Sequence, residues 1–154
     1  APNIADRIFM LDLDILIRRN IDHLATDPAP FCILKGSASK YGGAMVKFHS
    51  DQYHHVYDDF DPETSLERIS SFRRPNGKRL IGSDQTWLSV AVPDARMWYE
   101  EDGVYRYNKV KGRPMSDNVC VVNHGGMPKY WNLPASGPGR WVRSEYMAYM
   151  EERP

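Results

Sequence analysis

At 154 residues the chain is long enough to bury a core of its own, and it is read as a single domain spanning residues 1–154. Its 20 basic and 20 acidic side chains cancel, which excludes a long-range field that draws in nucleic acid or an anionic membrane. No run nears the roughly 20 apolar residues of a membrane span, and no charged-then-apolar leader opens the sequence, which reads as a piece of something longer.

In chain order, residues 7–13 (RIFMLDL) form an apolar run ending in acid, the profile of a buried parallel strand whose carboxyl end opens on a site. Residues 20–24 suggest a short helical turn, 31–34 a strand, 36–43 a small polar loop, and 44–48 another strand. Residues 51–60 space Tyr53, Val56, Tyr57 and Phe60 as on a helix, a pattern that marks a core face more often than a ligand site. A second helix is expected over 62–72, ended by the turn signal Arg73-Arg74-Pro75-Asn76-Gly77. Ser83 is placed to cap a helix over 84–92, which Pro93 stops, with Trp87 and Leu88 in the core. Strands are expected at 104–107 and 119–122, a surface segment at 133–139, and a last helix at 143–152. Strands mixed with helices make this an α/β chain.

Cys32 and Cys120 each lie inside an apolar run, so they read as buried free thiols, not as a disulfide or a metal site. That usage fits a reducing, cytoplasmic setting.

The most informative triplet is Asp12-Leu13-Asp14. Strand alternation would send both carboxylates to one side and Leu13 to the other. Two acids at one strand end, with apolar residues on both flanks, call for a cation between them. Carboxylate and diphosphate oxygens together suit octahedral Mg²⁺ or Mn²⁺. Solvated surface acids are the plainer alternative.

The segment from Phe9 to Ile17, followed by Asn20-Ile21-Asp22-His23-Leu24, resembles the DxD region of GT-A-fold glycosyltransferases. It is closest to the glycogenin-like and galactosyltransferase-like (family 8-like) group and its phage and bacterial relatives. Three further segments follow in that family's order: Tyr41-Gly42-Gly43-Ala44-Met45, Gly82-Ser83-Asp84-Gln85-Thr86-Trp87-Leu88, and the stretch from Asn123 to Trp131. The resemblance implies a mixed-sheet GT-A fold and a hexosyltransferase using a nucleotide-sugar, such as a UDP-hexose, with Mn²⁺ or Mg²⁺. It implies Asp12, Asp14 and His124 as metal ligands. Gly42, Gly43, Gly126 and Lys129 would approach the donor, Lys129 facing its diphosphate, while Asp84 and Gln85 would meet sugar or acceptor hydroxyls. Gly42 stands where the family carries Asn, Tyr130 where relatives carry Pro, and Asn123 is an alternative to His124 as ligand.

Only six residues precede the first strand, whereas that family begins with βαβ units holding the nucleotide. The sequence therefore implies a partial GT-A fold, with a carbohydrate or protein acceptor and a partner chain or self-association in place of the first half. Two other readings stay open. One is a non-catalytic remnant that binds carbohydrate or serves in assembly; the other is a haloacid-dehalogenase-like phosphatase, which also opens on a strand ending in DxD.

Overall fold

The computed structural model of the chain describes residues 7–37, 39–71, 84–111, 116–125, 133, 136 and 140–151. In chain order these give β1 (Arg7–Leu11), β2 (Ile15–Ile17), α1 (Asp22–Ala25), β3 (Phe31–Lys35) and β4 (Tyr41–His49). Helices α2 (His55–Asp58), α3 (Thr64–Ser71) and α4 (Asp84–Ala91) follow, then β5 (Arg96–Trp98). A 3-10 turn (Glu100–Asp102), β6 (Val104–Arg106), α5 (Tyr107–Val110), β7 (Val121–Asn123) and α6 (Arg140–Glu151) complete the order. The chain falls into two compact units, Ala1–Leu11 with Asp27–Trp98 and Asp12–Thr26 with Tyr99–Pro154.

The first unit carries a mixed sheet in the order β1-β4-β3-β5. Strand β3 is buried at Phe31, Cys32, Ile33 and Leu34, as a continuous apolar run predicts. It pairs antiparallel with β4 and parallel with β5. Strand β1 corrects the expectation of a parallel strand over 7–13: it runs antiparallel to β4, from Arg7↔His49 to Leu11↔Met45, and stops at Leu11. Met10 is 56% exposed, so this strand has an open face, which an antiparallel pair tolerates.

Against the sheet, Phe31, Ile33, Tyr41, Val46 and Val92 form a core joined by Tyr53, Val56 and Leu88. The Tyr41 hydroxyl lies 2.7 Å from the Val92 carbonyl and accepts the Ala95 N–H at 3.2 Å, tying down the chain where Pro93 ends α4. Trp87 is buried, donates its indole N–H to the Val56 carbonyl at 2.7 Å and meets Phe60 edge-on. Helix α3 starts where Asp61 caps it: its carboxylate accepts the Glu63 and Thr64 N–H groups, both at 2.8 Å, and Ser65 Oγ accepts the Asp61 N–H. Those donors hold the Asp61 carboxyl below its ordinary range.

Lys47, within β4, is buried, and its ammonium donates to the Ala29 carbonyl at 2.8 Å and to that of Asp27. Burial works against the Asp27 carboxylate. The Ala29 N–H, the Trp98 indole, Cys32 and Arg96 outweigh that and lower its pKa.

Both cysteines are free, with Cys32 buried and Cys120 half-buried. Burial pushes the Cys32 thiol from 9.0 up to about 11, with Asp27 adding to the rise and Lys47 opposing it. The folded state therefore keeps its proton at a pH where the unfolded thiol has lost it. This contribution is complete below pH 9.0 and is lost as pH rises through about 11. Urea midpoints measured from pH 8.5 to 11 should fall across that window, and Cys32→Ala should flatten the fall.

The second unit holds a mixed sheet in the order β2-β7-β6, with β2 antiparallel and β6 parallel to β7. Leu16, Val110, Val119, Val122 and Leu133 make its core, with Tyr105, Tyr107 and Trp141 packed against it. Leu133 is 3% exposed and joins this core, which corrects the surface position expected for it. Arg18 donates to the Val119 carbonyl at 2.9 Å and lies over the Trp141 ring at 5.5 Å. Helix α6 begins at Arg140, three residues before the expected start at 143.

Gly103 sits at φ 75°, and a Cβ there would stand 2.5 Å from the Asn118 carbonyl oxygen. Its own carbonyl accepts the Cys120 and Val121 N–H groups, so it steers the chain into β7. Gly103→Ala should cost more than about 1 kcal/mol, combining backbone strain with collision, as chemical denaturation would show. Among the described residues, no helix is long and apolar enough to cross a membrane.

Candidate functional site

The second unit positions the acidic triplet. Strand β2 pairs with β7 as Ile15↔Asn123, Leu16↔Val122 and Ile17↔Val121. Carried one step further, this antiparallel ladder sets Asp14 opposite His124, and the His124 N–H donates to the Asp14 carbonyl at 3.0 Å. Two expected metal ligands, 110 positions apart in sequence, are thereby backbone neighbours.

Asp12 is drawn into the same corner by a tight turn, in which the Ile15 N–H donates to the Asp12 carbonyl at 3.1 Å. The triplet is thus a turn and not the strand end expected from alternation. Leu13 is 97% exposed instead of pointing into a core. Asp12 is exposed and Asp14 half-buried.

The His124 imidazole is half-buried and stacks on the Tyr107 ring at 4.4 Å between centroids, with 29° between planes. Tyr107 packs on the core of this unit, and burial raises its phenol above the ordinary range, so the ring stays neutral. Gly125, at φ 54°, turns the chain away just after His124, and a Cβ there would press on Asn123 Oδ1 at 3.3 Å. Asn123, the alternative ligand, is 5% exposed, and its Oδ1 has no hydrogen-bond partner among the described residues.

Two carboxylates and an imidazole have the donor chemistry of an Mn²⁺ or Mg²⁺ site. Among the described residues, however, no three His, Cys, Asp or Glu side chains are gathered into a group ready to hold an ion.

The first unit assembles a different set. Strand β3 pairs Ile33 with Val46 but Leu34 with Gly42, so β4 bulges over residues 43–45. The bulge leads Gly43 against the start of α4, where a Cβ would meet Gln85 Cγ at 3.2 Å and Asp84 Oδ2 at 3.8 Å. Asp84 opens the helix and accepts the Gln85 N–H on Oδ1 at 2.8 Å, leaving Oδ2 on the Gly43 side. Gly43, Asp84 and Gln85 therefore come together as one cluster. Gly42, beside it, faces the Leu34 side chain at ordinary contact distance.

Ser83, Gly126, Lys129 and Trp131, and with them the turn at 73–77, lie outside the described residues. Sequence reasoning missed Tyr107. It lies in a helix of four residues, too short to carry a periodic signal, and only folding brings it onto His124.

No protein-family model matches the chain, and no curated protein matches it in sequence. Among solved structures, it is similar to the glycosyltransferase GlyE of Streptococcus pneumoniae TIGR4, with a TM-score of 0.56 and 10% identity. The superposition covers 98% of this chain and 45% of that one, so the chain spans less than half that enzyme's length. At such low identity the likeness is one of fold. The mixed α/β arrangement is one that a glycosyltransferase shares.

Proposed function

We propose that this chain is the metal- and donor-binding part of a nucleotide-sugar-dependent hexosyltransferase of GT-A type. The observation that carries the reading is the His124 N–H to Asp14 carbonyl bond, which holds two ligand-type residues side by side at the end of a three-stranded sheet. Asp12, in the adjoining turn, would supply the third ligand once its side chain is drawn to the other two, since no such group stands ready-made among the described residues. The fold shared with a glycosyltransferase supports the same class.

A divalent cation bound there would neutralise the diphosphate that departs from a donor such as a UDP-hexose. The chain's own residues would hold and orient it. Asp12 and Asp14 would place hard oxygens, and Tyr107, stacked on His124, would restrict the imidazole to a narrow range of tilt. Lys129 would add a positive charge near the diphosphate, and Gly126 would let backbone approach it. In the first unit, Asp84 and Gln85 would accept from and donate to hydroxyls of the sugar or its acceptor, while Gly42 and Gly43 keep that approach open. A cytoplasmic setting, where nucleotide-sugars and Mn²⁺ are both at hand, is part of this reading.

The test is calorimetric titration with inorganic diphosphate, which represents the leaving group without requiring a base pocket. Binding should appear with Mn²⁺ and vanish with a chelator. Equal affinity in both conditions would refute the reading.

A further inference from the structure

The first unit contains a cavity of about 420 Å³ with walls that are mostly apolar carbon. Rings of Phe31, Phe48, Tyr53, Tyr57 and Phe60 line it, and among the described lining residues Asp84 carries the one charged side chain. That volume lies in the range of small-molecule sites. Its rim leaves large apolar groups to water, with Tyr57 85% and Phe60 48% exposed. Such a rim is an apolar surface that a ligand would cover.

The cavity's chemistry selects its occupant. A free hexose would bring a ring of hydroxyls against carbon walls, and most of them would lose water without finding a partner. Asp84 offers one outlet: Oδ1 is already taken by the Gln85 N–H, and Oδ2 faces the Gly43 side of the cavity. The carboxylate also stands at the first residue of α4, whose positive end favours a neutral donor over an ammonium group.

We infer that this cavity binds an acceptor whose body is an apolar ring and whose polarity is confined to one hydroxyl, donated to Asp84. Its role as acceptor rests on the transferase reading; its binding does not. A single hydrogen bond to a carboxylate oxygen distinguishes the alcohol from the hydrocarbon of the same shape by about tenfold.

Methyl-resolved NMR titration of the whole chain, without metal or nucleotide, tests this with benzyl alcohol, toluene, benzylamine and glucose as probes. Benzyl alcohol should shift the methyl signals of Met10, Val46 and Leu88 saturably and bind about tenfold more tightly than toluene. Glucose should leave those signals in place. Asp84→Leu should bring alcohol and hydrocarbon within about twofold, and Leu88→Trp, which fills the cavity and spares Asp84, should abolish both.

Absence of saturable shifts would overturn the inference. So would equal shifts with glucose, tighter binding of benzylamine, or an alcohol preference that survives Asp84→Leu. Because no metal or donor is present, these outcomes are separate from failure of Mn²⁺-dependent diphosphate binding, which would remove only the acceptor role.

Discussion

Trp98→Ala is expected to destabilise the protein by about 3–5 kcal/mol, the usual cost of emptying a fully buried aromatic site. Trp98 has no exposed surface, and its ring tilts against Phe9 at 5.4 Å. Its backbone pairs with Leu34 on β3, and its indole N–H reaches Asp27 Oδ2 at 3.3 Å. Truncation therefore opens a cavity and removes a donor that keeps the Asp27 carboxylate ionised. Against a total stability of about 5–15 kcal/mol, that loss lowers the melting temperature by on the order of 10 °C. Trp98→Phe retains most of the packing and should lose about 1 kcal/mol, the share of the indole bond. Thermal melts and urea titrations of both variants check the ranking.

Under the proposed metal role, Asp14→Ala is expected to reduce Mn²⁺-dependent diphosphate binding by more than about a hundredfold, since loss of a direct ligand would exceed the roughly 10–100-fold cost of losing an outer-shell partner. Its backbone carbonyl, which accepts the His124 N–H, survives the substitution, so the ladder between β2 and β7 should stay intact. That separation makes the variant informative: binding falls while the melting temperature holds. Asp12→Ala should act in the same direction. Tyr107 is different because it stacks on the imidazole and is not itself a proposed ligand, so Tyr107→Leu should weaken binding only modestly. A large loss in Asp14→Ala accompanied by unfolding would instead indicate a structural role for the carboxylate.

Much of the first unit was legible in sequence because its signals are local. The run from Phe31 to Leu34 is apolar without a break, and a strand buried on both faces needs nothing else. Helix α4 was readable from the capping residue type at Ser83 and from Pro93 past its end. Pairing direction was not legible: Arg7 to Leu11 has the composition of a parallel strand, and only its partner β4 decides otherwise.

Lys47 shows a further limit of patterning. A lysine in a strand reads as a solvent face, but here the ammonium finds carbonyls in the chain at residues 27–29, and its stem is buried with it. The candidate site was half legible. Asp12, Asp14 and His124 stood out as residue types, and the ladder brings Asp14 beside His124. The turn that exposes Leu13 was hidden, because an acid–apolar–acid triplet satisfies strand alternation equally well.

The proposed function requires one cation at the corner where β2 meets the end of β7. Paramagnetic broadening by sub-stoichiometric Mn²⁺ in the presence of diphosphate reads that position directly. The amide signals of Asp14, Ile15 and His124 should disappear first and return when chelator is added. Broadening centred elsewhere, or spread evenly over exposed carboxylates with those three signals intact, would contradict it.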